Sequence, residues 1–291
     1  MAPGRARRLG PEPRPGGGAA DSQIFKERGR WFLVDNEGGK RVSVTLSAEA
    51  GALGPSGADG HFETEMTLQR RVATEEAVGF SLGYSAVLPA GDDRTFQGEV
   101  LFPASYGLSV ISDIDDTIKI SQVTDKTALL ANTFLKPFLA APDMALAYDR
   151  LAAAGAVFHY VSSSPWQLYP ALKAFMVEAG FPRGSFHLRK FRVKDESLFN
   201  LFKSSRETKP PVIEDLLSAF PKRGFILIGD SGEVDPEIYG AIARDHPGQI
   251  RHIYIRKVTS EMADDVRYLA AFAGLPASLW TLFDHAAAIT P

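Results

Sequence analysis

The sequence predicts an α/β protein, a doubly wound parallel sheet preceded by a small β-sandwich-like domain. Three observations carry that prediction. From Leu108 onward, apolar β-branched runs alternate with helix-like stretches, the pattern of parallel strands joined by right-handed crossovers with helices on both faces. Three of those runs end in polar clusters, at Asp113 to Thr117, Ser162 to Ser164 and Gly229-Asp230; in open parallel sheets, ligands collect beyond the carboxyl ends of the strands. Before Pro103, short alternating stretches are separated by turn residues, as in small antiparallel domains. The expected division is a disordered basic tail rich in Pro and Gly over 1–21, a β-rich domain over 22–104 and an α/β domain over 105–291.

The tail carries Arg5, Arg7, Arg8 and Arg14 without the apolar segment of a secretory signal, so a disordered segment suited to an anionic lipid surface is expected. Strands are expected at Trp31–Val34, Arg41–Leu46, Phe62–Leu68, Val78–Leu82 and Phe96–Phe102, with turns at Asn36 to Gly39 and Gly51 to Gly60. None of these segments clusters a nucleophile, base or metal ligand.

Leu108 to Ser112 is apolar enough for a buried strand, yet Asp113, Asp115 and Asp116 follow it at once. Three carboxylates within four residues repel one another and lose hydration, so they call for a cation or a dense set of donors. A hard divalent metal is the simplest resolution. Asp125 to Phe138 has helical spacing, and Asp143 to Ala154 forms a second helix closing at Gly155. The stretch Phe134 to Leu139 fits ordinary packing on the sheet.

Ala156 to Val161 reads as a strand, and Ser164-Pro165 as a helix start running through Val177, which would aim amides and hydroxyls at a phosphoryl group. Phe186 to Phe191 is another strand. Arg189 to Arg206 interleaves Arg192, Lys194 and Lys203 with Phe191, Phe199 and Phe202, which fits either a grip on a phospholipid headgroup or a solvated loop. Lys209-Pro210-Pro211 leads into a helix over Val212 to Phe220. Phe225 to Asp230 is a buried strand, Pro236 opens a helix to Arg244, and Arg251 to Ile255 is the fifth strand. Glu261 to Ala273 and Leu279 to Ala288 are helical by composition.

Composition narrows the function. A net charge of −3 with 45% hydrophobic residues gives no reason to expect nucleic acid. The absence of cysteine excludes thiolate metal sites, disulfides and cysteine nucleophiles. No apolar run spans a bilayer, so a cytoplasmic protein with peripheral membrane contact is expected.

The Asp-x-Asp-x-Thr run at Asp113, the hydroxyl-bearing strand end at Ser162, Lys209 and the Gly-Asp-x-x-x-x-Asp run at Gly229 resemble the four motifs of the haloacid dehalogenase-like phosphohydrolases. More narrowly, Ser112 to Lys119, Tyr160 to Trp166 and Gly229 to Tyr239 resemble the catalytic domain of the actin-patch-associated phosphatidate phosphatases and their bacterial relatives, a family similar in turn to the lipins. The resemblance implies a haloacid dehalogenase-like, Rossmannoid fold and magnesium-dependent hydrolysis of phosphatidate through an aspartyl-phosphate. It makes Asp113 the nucleophile and Asp115 the acid and base. Asp113, Asp115 through its main-chain carbonyl, and Asp230 would hold Mg2+, with Asp235 reaching the metal through water or orienting its ligands. Ser162 would bind the phosphoryl oxygens, with Ser163 and Ser164 as competing choices and Thr117 contributing to substrate or loop. Lys209 would neutralise charge, with Lys194 and Lys203 as competing amines. Asp116 and Trp166 are assigned to structure. In haloacid dehalogenase-like enzymes an insertion after the first strand can supply a cap, and this resemblance makes Phe134 to Leu139 a candidate acyl-chain or membrane contact. Two other readings remain: a phosphatase of a soluble phosphomonoester, and a non-catalytic module that binds phosphate or lipid.

Overall fold

A computed structural model of the chain describes residues 18–34, 37–46, 49–52, 54–65, 79–191 and 205–291. The expected tail, apart from its last residues, therefore lies outside the described residues, as do Leu68 and the basic and aromatic positions Arg192, Lys194, Phe199, Phe202 and Lys203.

Helix α1 (Gly18–Leu33) replaces both the end of the expected tail and the strand expected at Trp31–Val34. Its Arg28 and Phe32 are buried at a spacing of four, so one stripe of the helix faces inward. The following strands β1 (Ser43–Leu46), β2 (Glu49–Ala52), β3 (Phe80–Val87) and β4 (Gln97–Phe102) form one antiparallel sheet in the order β2-β1-β3-β4. Among the described residues this is a single sheet and not a sandwich. Residues 62–65 are irregular, and β2 pairs with β1 where turn residues were expected.

The second sheet holds β5 (Gly107–Ser112), β6 (Val157–Pro165), β7 (Gly184–Arg189), β8 (Arg223–Asp230), β9 (Ile250–Arg256) and β10 (Trp280–Phe283) in the order β10-β9-β8-β5-β6-β7. Every pairing is parallel. Alternation along the strands builds two cores. Val110, Phe158, Ile226 and Ile228 pack with α3 (Met144–Ala153) and α4 (Tyr169–Glu178) on one side. Ile111, Val161, Phe225 and Leu227 pack with α5 (Ser205–Ala219), α6 (Asp235–Asp245) and α7 (Val266–Ala271) on the other. The strands are covered on both faces, as a parallel sheet requires. Chain order reverses beside β5, which pairs with β6 on one edge and β8 on the other, so a crevice lies at the carboxyl ends of these strands.

Several expected elements have moved. Helix α2 (Lys126–Phe134) starts where Asp125 accepts from the Thr127 and Ala128 amides but stops short of Phe138. Strand β6 runs through Ser164-Pro165, so these residues do not cap a helix; a 3-10 turn at Trp166–Leu168 intervenes, and α4 has no side-chain cap. Helix α5 begins before Lys209 and continues through Pro210 and Pro211, because burial of Ile213, Leu216 and Leu217 outweighs the local propensity of proline. Only Val266–Ala271 of the Glu261 to Ala273 stretch is α-helical. The alanine-rich end expected as a helix is instead β10 and two 3-10 turns; Trp280-Thr281-Leu282-Phe283 is a β-favouring run that β9 accepts as its neighbour. Arg223 on β8 holds the segment that connects the two sheets, donating to Ser109 Oγ at 2.8 Å and to the Ala104 and Tyr106 carbonyls at 2.7 and 2.6 Å.

Candidate active site

Asp113 leaves the end of β5 and is buried. Its amide donates to the Ile228 carbonyl at 2.8 Å, which fixes the backbone to the neighbouring strand. Thr117 Oγ1 donates to Asp113 Oδ2 at 3.0 Å, and Lys209 Nζ lies 2.9 Å from Oδ1. Thr117 is fully buried, so its place is behind the Asp113 carboxylate.

Asp230, at the end of β8, and Asp235, at the start of α6, complete an acidic cluster: with Asp113, each offers an oxygen within 4.8 Å of the others. Lys209 reaches Asp235 Oδ1 at 2.6 Å and Glu233 Oε2 at 3.4 Å. Glu233 also accepts from Ser205 Oγ. Four carboxylates thus face one ammonium. Burial pushes the Asp113 and Asp230 carboxyls well above the usual range; Lys209 opposes this, while neighbouring carboxylates add to it. Burial alone would lower the Lys209 pKa, but Asp113, Asp235 and Glu233 outweigh it and hold the ammonium charged.

The donor set fits a hard divalent cation, which takes oxygen ligands. Asp230 Oδ1 accepts from the Gly232 amide at 2.6 Å, whereas Oδ2 is buried without a hydrogen-bond partner among the described residues. Such an atom is costly unless a ligand satisfies it. The oxygens of Asp235 already accept from Lys209 and, at 3.3 Å, from the Asp230 amide. Gly229 permits this approach, since a Cβ there would collide with the Asp235 side chain.

Asp115 is held by four donors. Lys119 Nζ and Ser121 Oγ each lie 2.7 Å from Oδ1; Ser162 Oγ and Ser164 Oγ donate to Oδ2 at 3.1 and 2.8 Å. Burial alone would raise its pKa, but Lys119 and the hydroxyls outweigh it and hold the carboxyl at about 2. It stands as a carboxylate. Ser163 lines the same pocket as Asp115 and Ser164, but its hydroxyl bonds Ser205 and Thr208 at 3.0 and 2.9 Å instead of Asp115. Asp116, at φ 52°, accepts from the Ser121, Gln122 and Val123 amides at 2.7, 2.9 and 2.6 Å, closing the loop that carries Lys119 and Ser121.

A pocket opening at Asp115 is lined by Ser164, Glu233 and the apolar side chains of Val123, Leu129, Phe134 and Leu168. Phe134 and Phe138 pack against the core, while Leu135 and Leu139 are exposed. The fold therefore gathers Asp113, Asp115, Thr117, Ser162, Ser163, Ser164, Lys209, Asp230 and Asp235 at one sheet edge. Sequence reasoning missed Lys119, Ser121, Ser205 and Glu233 as parts of the site. Lys119 and Glu233 lie inside the resembling motifs, which was their only signal.

Comparison with known proteins gives the class of domain that carries this site. Residues 108–257, more than half of the chain, match the family described as phosphatidate phosphatase APP1, catalytic domain, and the chain belongs to that family. It is 39% identical over 171 residues to phosphatidate phosphatase APP1 of Saccharomyces cerevisiae, covering 56% of this chain and 29% of the yeast protein. An uncharacterized protein of Schizosaccharomyces pombe is 33% identical over 175 residues, covering 58% of this chain and 28% of that protein. The match spans less than a third of either relative. A chain from the structure of a Pnkp1/Rnl/Hen1 complex aligns at a TM-score of 0.37 with 13% identity, over 56% of this chain and 55% of that one, too distant to carry an argument.

Proposed function

We propose that this protein is a magnesium-dependent phosphatidate phosphatase with a haloacid dehalogenase-like site, releasing diacylglycerol and phosphate through an aspartyl-phosphate. The observation that carries the reading is Asp113: a buried carboxylate at the end of the central strand, held between Thr117 and Lys209 beside Asp230 and Asp235. Asp113, Asp230 and the Asp115 main-chain carbonyl would hold Mg2+, which supplies charge neutralisation between an anionic ester and an anionic nucleophile.

An Asp113 carboxylate oxygen bonds to phosphorus as the bond to the alcohol oxygen breaks. The departing oxygen takes the bonding pair and a proton from Asp115, which has gained that proton from solvent as substrate binds. Water then attacks the aspartyl-phosphate, Asp115 takes its proton, and Asp113 is regenerated as inorganic phosphate leaves. The hydroxyls of Ser162 and Ser164 turn from Asp115 Oδ2 to the phosphoryl oxygens, which removes two donors from the carboxylate and lets it carry a proton. Lys209 keeps Asp113 oriented and offsets the incoming charge. The apolar lining beside Asp115 favours an alcohol bearing hydrocarbon over a small polar one. No helix among the described residues is long and apolar enough to cross a membrane; a cytoplasmic protein that meets its lipid peripherally accommodates this.

The test is phosphate release from dispersed phosphatidate and from a panel of soluble phosphomonoesters, each with Mg2+ or EDTA. Magnesium-dependent release favouring phosphatidate, lost in Asp113→Asn without loss of fold, is the expected result. Full activity in Asp113→Asn would remove the mechanism; preference for a soluble ester would replace the substrate.

A further inference from the structure

Lys119 has no part in the reaction derived above, yet it is only 1% exposed. Its Nζ lies 2.7 Å from Asp115 Oδ1, donates to Ser121 Oγ and sits 4.8 Å from the centroid of the Phe138 ring. A carboxylate, a hydroxyl and a ring replace the water that an ammonium loses on burial. The backbone is fixed as well, because Lys119 forms bridges with both Asp115 and Ala140. Phe138 is itself held from α1: the Arg28 guanidinium lies 3.6 Å from its ring centroid, and Arg28 Nη1 donates to the Thr133 and Lys136 carbonyls at 2.6 and 2.9 Å. A chain of contacts therefore runs from Arg28 through Phe138 and Lys119 to Asp115. Its first link lies outside the residues that match the family.

We propose that Lys119 is a positioning residue for Asp115. It holds Oδ1 still, so that Oδ2, the oxygen on the Ser162 and Ser164 side, is the one that exchanges protons with the departing oxygen and with water; Phe138 and Arg28 keep Lys119 in place. The inference rests on the assignment of Asp115 as acid and base under the proposed function. Ser121, which donates to the same Oδ1, supports the anchor but carries no charge.

The test compares two esters on the full chain with Mg2+. Monomeric short-chain phosphatidate releases an alkoxide that needs a proton, whereas 4-nitrophenyl phosphate releases an anion stable without one. In Lys119→Met, kcat/KM for the short-chain phosphatidate should fall at least about 30-fold with KM within about twofold, while kcat/KM for the nitrophenyl ester falls less than about threefold. Lys119→Arg should recover part of the loss, and Phe138→Leu should show the same selectivity in weaker form. These two variants also carry the test if Lys119→Met does not fold. Equal losses on both esters, or no loss on either, would overturn the assignment while leaving the phosphatase reading intact. A wild-type protein inactive on both would overturn that reading and this one with it.

Discussion

Asp116 lies between residues assigned to chemistry, yet its carboxylate is occupied by three backbone amides. Asp116→Ala would leave those amides without their acceptor, and losing buried hydrogen bonds of this kind costs about 1–3 kcal/mol. The expected result is a lower urea midpoint and reduced turnover together; an unchanged midpoint would contradict the loop-closing role. Thr117 makes a subtler contribution. With Thr117→Val, Asp113 Oδ2 loses one donor, and kcat should fall about tenfold with little change in KM. A rise in KM alone would return Thr117 to the substrate. These two residues mark the limit of what could be read from sequence. Asp113, Asp115, Ser162 and Asp230 were legible because a polar residue at the end of an apolar strand has few structural excuses. Whether the Thr117, Ser163 and Ser164 hydroxyls face substrate, backbone or each other depends on partners tens of residues away, such as Thr208 and Ser205 for Ser163.

The same distinction holds for the secondary structure. Strands β5 and β8 were legible because apolar residues dominate them, and β9 because Ile253, Tyr254 and Ile255 form a β-favouring run. Serine and proline ahead of an apolar stretch also make a good helix start, and only pairing with β7, shifted between Ser162 and Pro165, keeps β6 extended through them. That extension directs Ser162 and Ser164 at Asp115. The β6 and β7 pair makes a further expectation about pH. His159 on β6 bonds Ser185 at 2.8 Å, and burial, with His187 and Arg223 adding to it, lowers its pKa from 6.5 to about 3. The folded state therefore excludes a proton that the unfolded chain accepts below its ordinary pKa. This contribution to stability is complete above the unfolded value and is lost as pH falls towards the folded one, at up to about 1.4 kcal/mol per pH unit. Urea unfolding at about pH 7 and about pH 4.5 should show a smaller drop for His159→Phe than for the wild type; parallel drops would place the acid sensitivity elsewhere.

Across the whole molecule, two apolar cores hold the sheet while unbalanced carboxylates gather at its edge. Adding Mg2+ should raise the unfolding temperature, because a ligand bound only to the folded state stabilises it by mass action. Asp230→Asn should diminish that shift by removing an oxygen with no other partner among the described residues; an undiminished shift would mean that magnesium binds elsewhere. Helix α1 was not legible at all, since Trp31, Phe32, Leu33 and Val34 have strand-like character until their surroundings are known. Phe32 packs edge-on against Phe134 and Phe191, at centroid distances of 5.4 and 6.2 Å. Phe32→Ala should destabilise the protein by about 3 kcal/mol or more.

The residues that match the family and the residues that complete the two cores are therefore different sets. A protein cut to residues 108–257 would lose α1, α7 and β10, uncovering aromatic surface on one face and an unpaired β9 on the other. Such a fragment would carry every carboxylate of the site and still be expected to aggregate, so the boundaries of kinship are poor places to put the scissors.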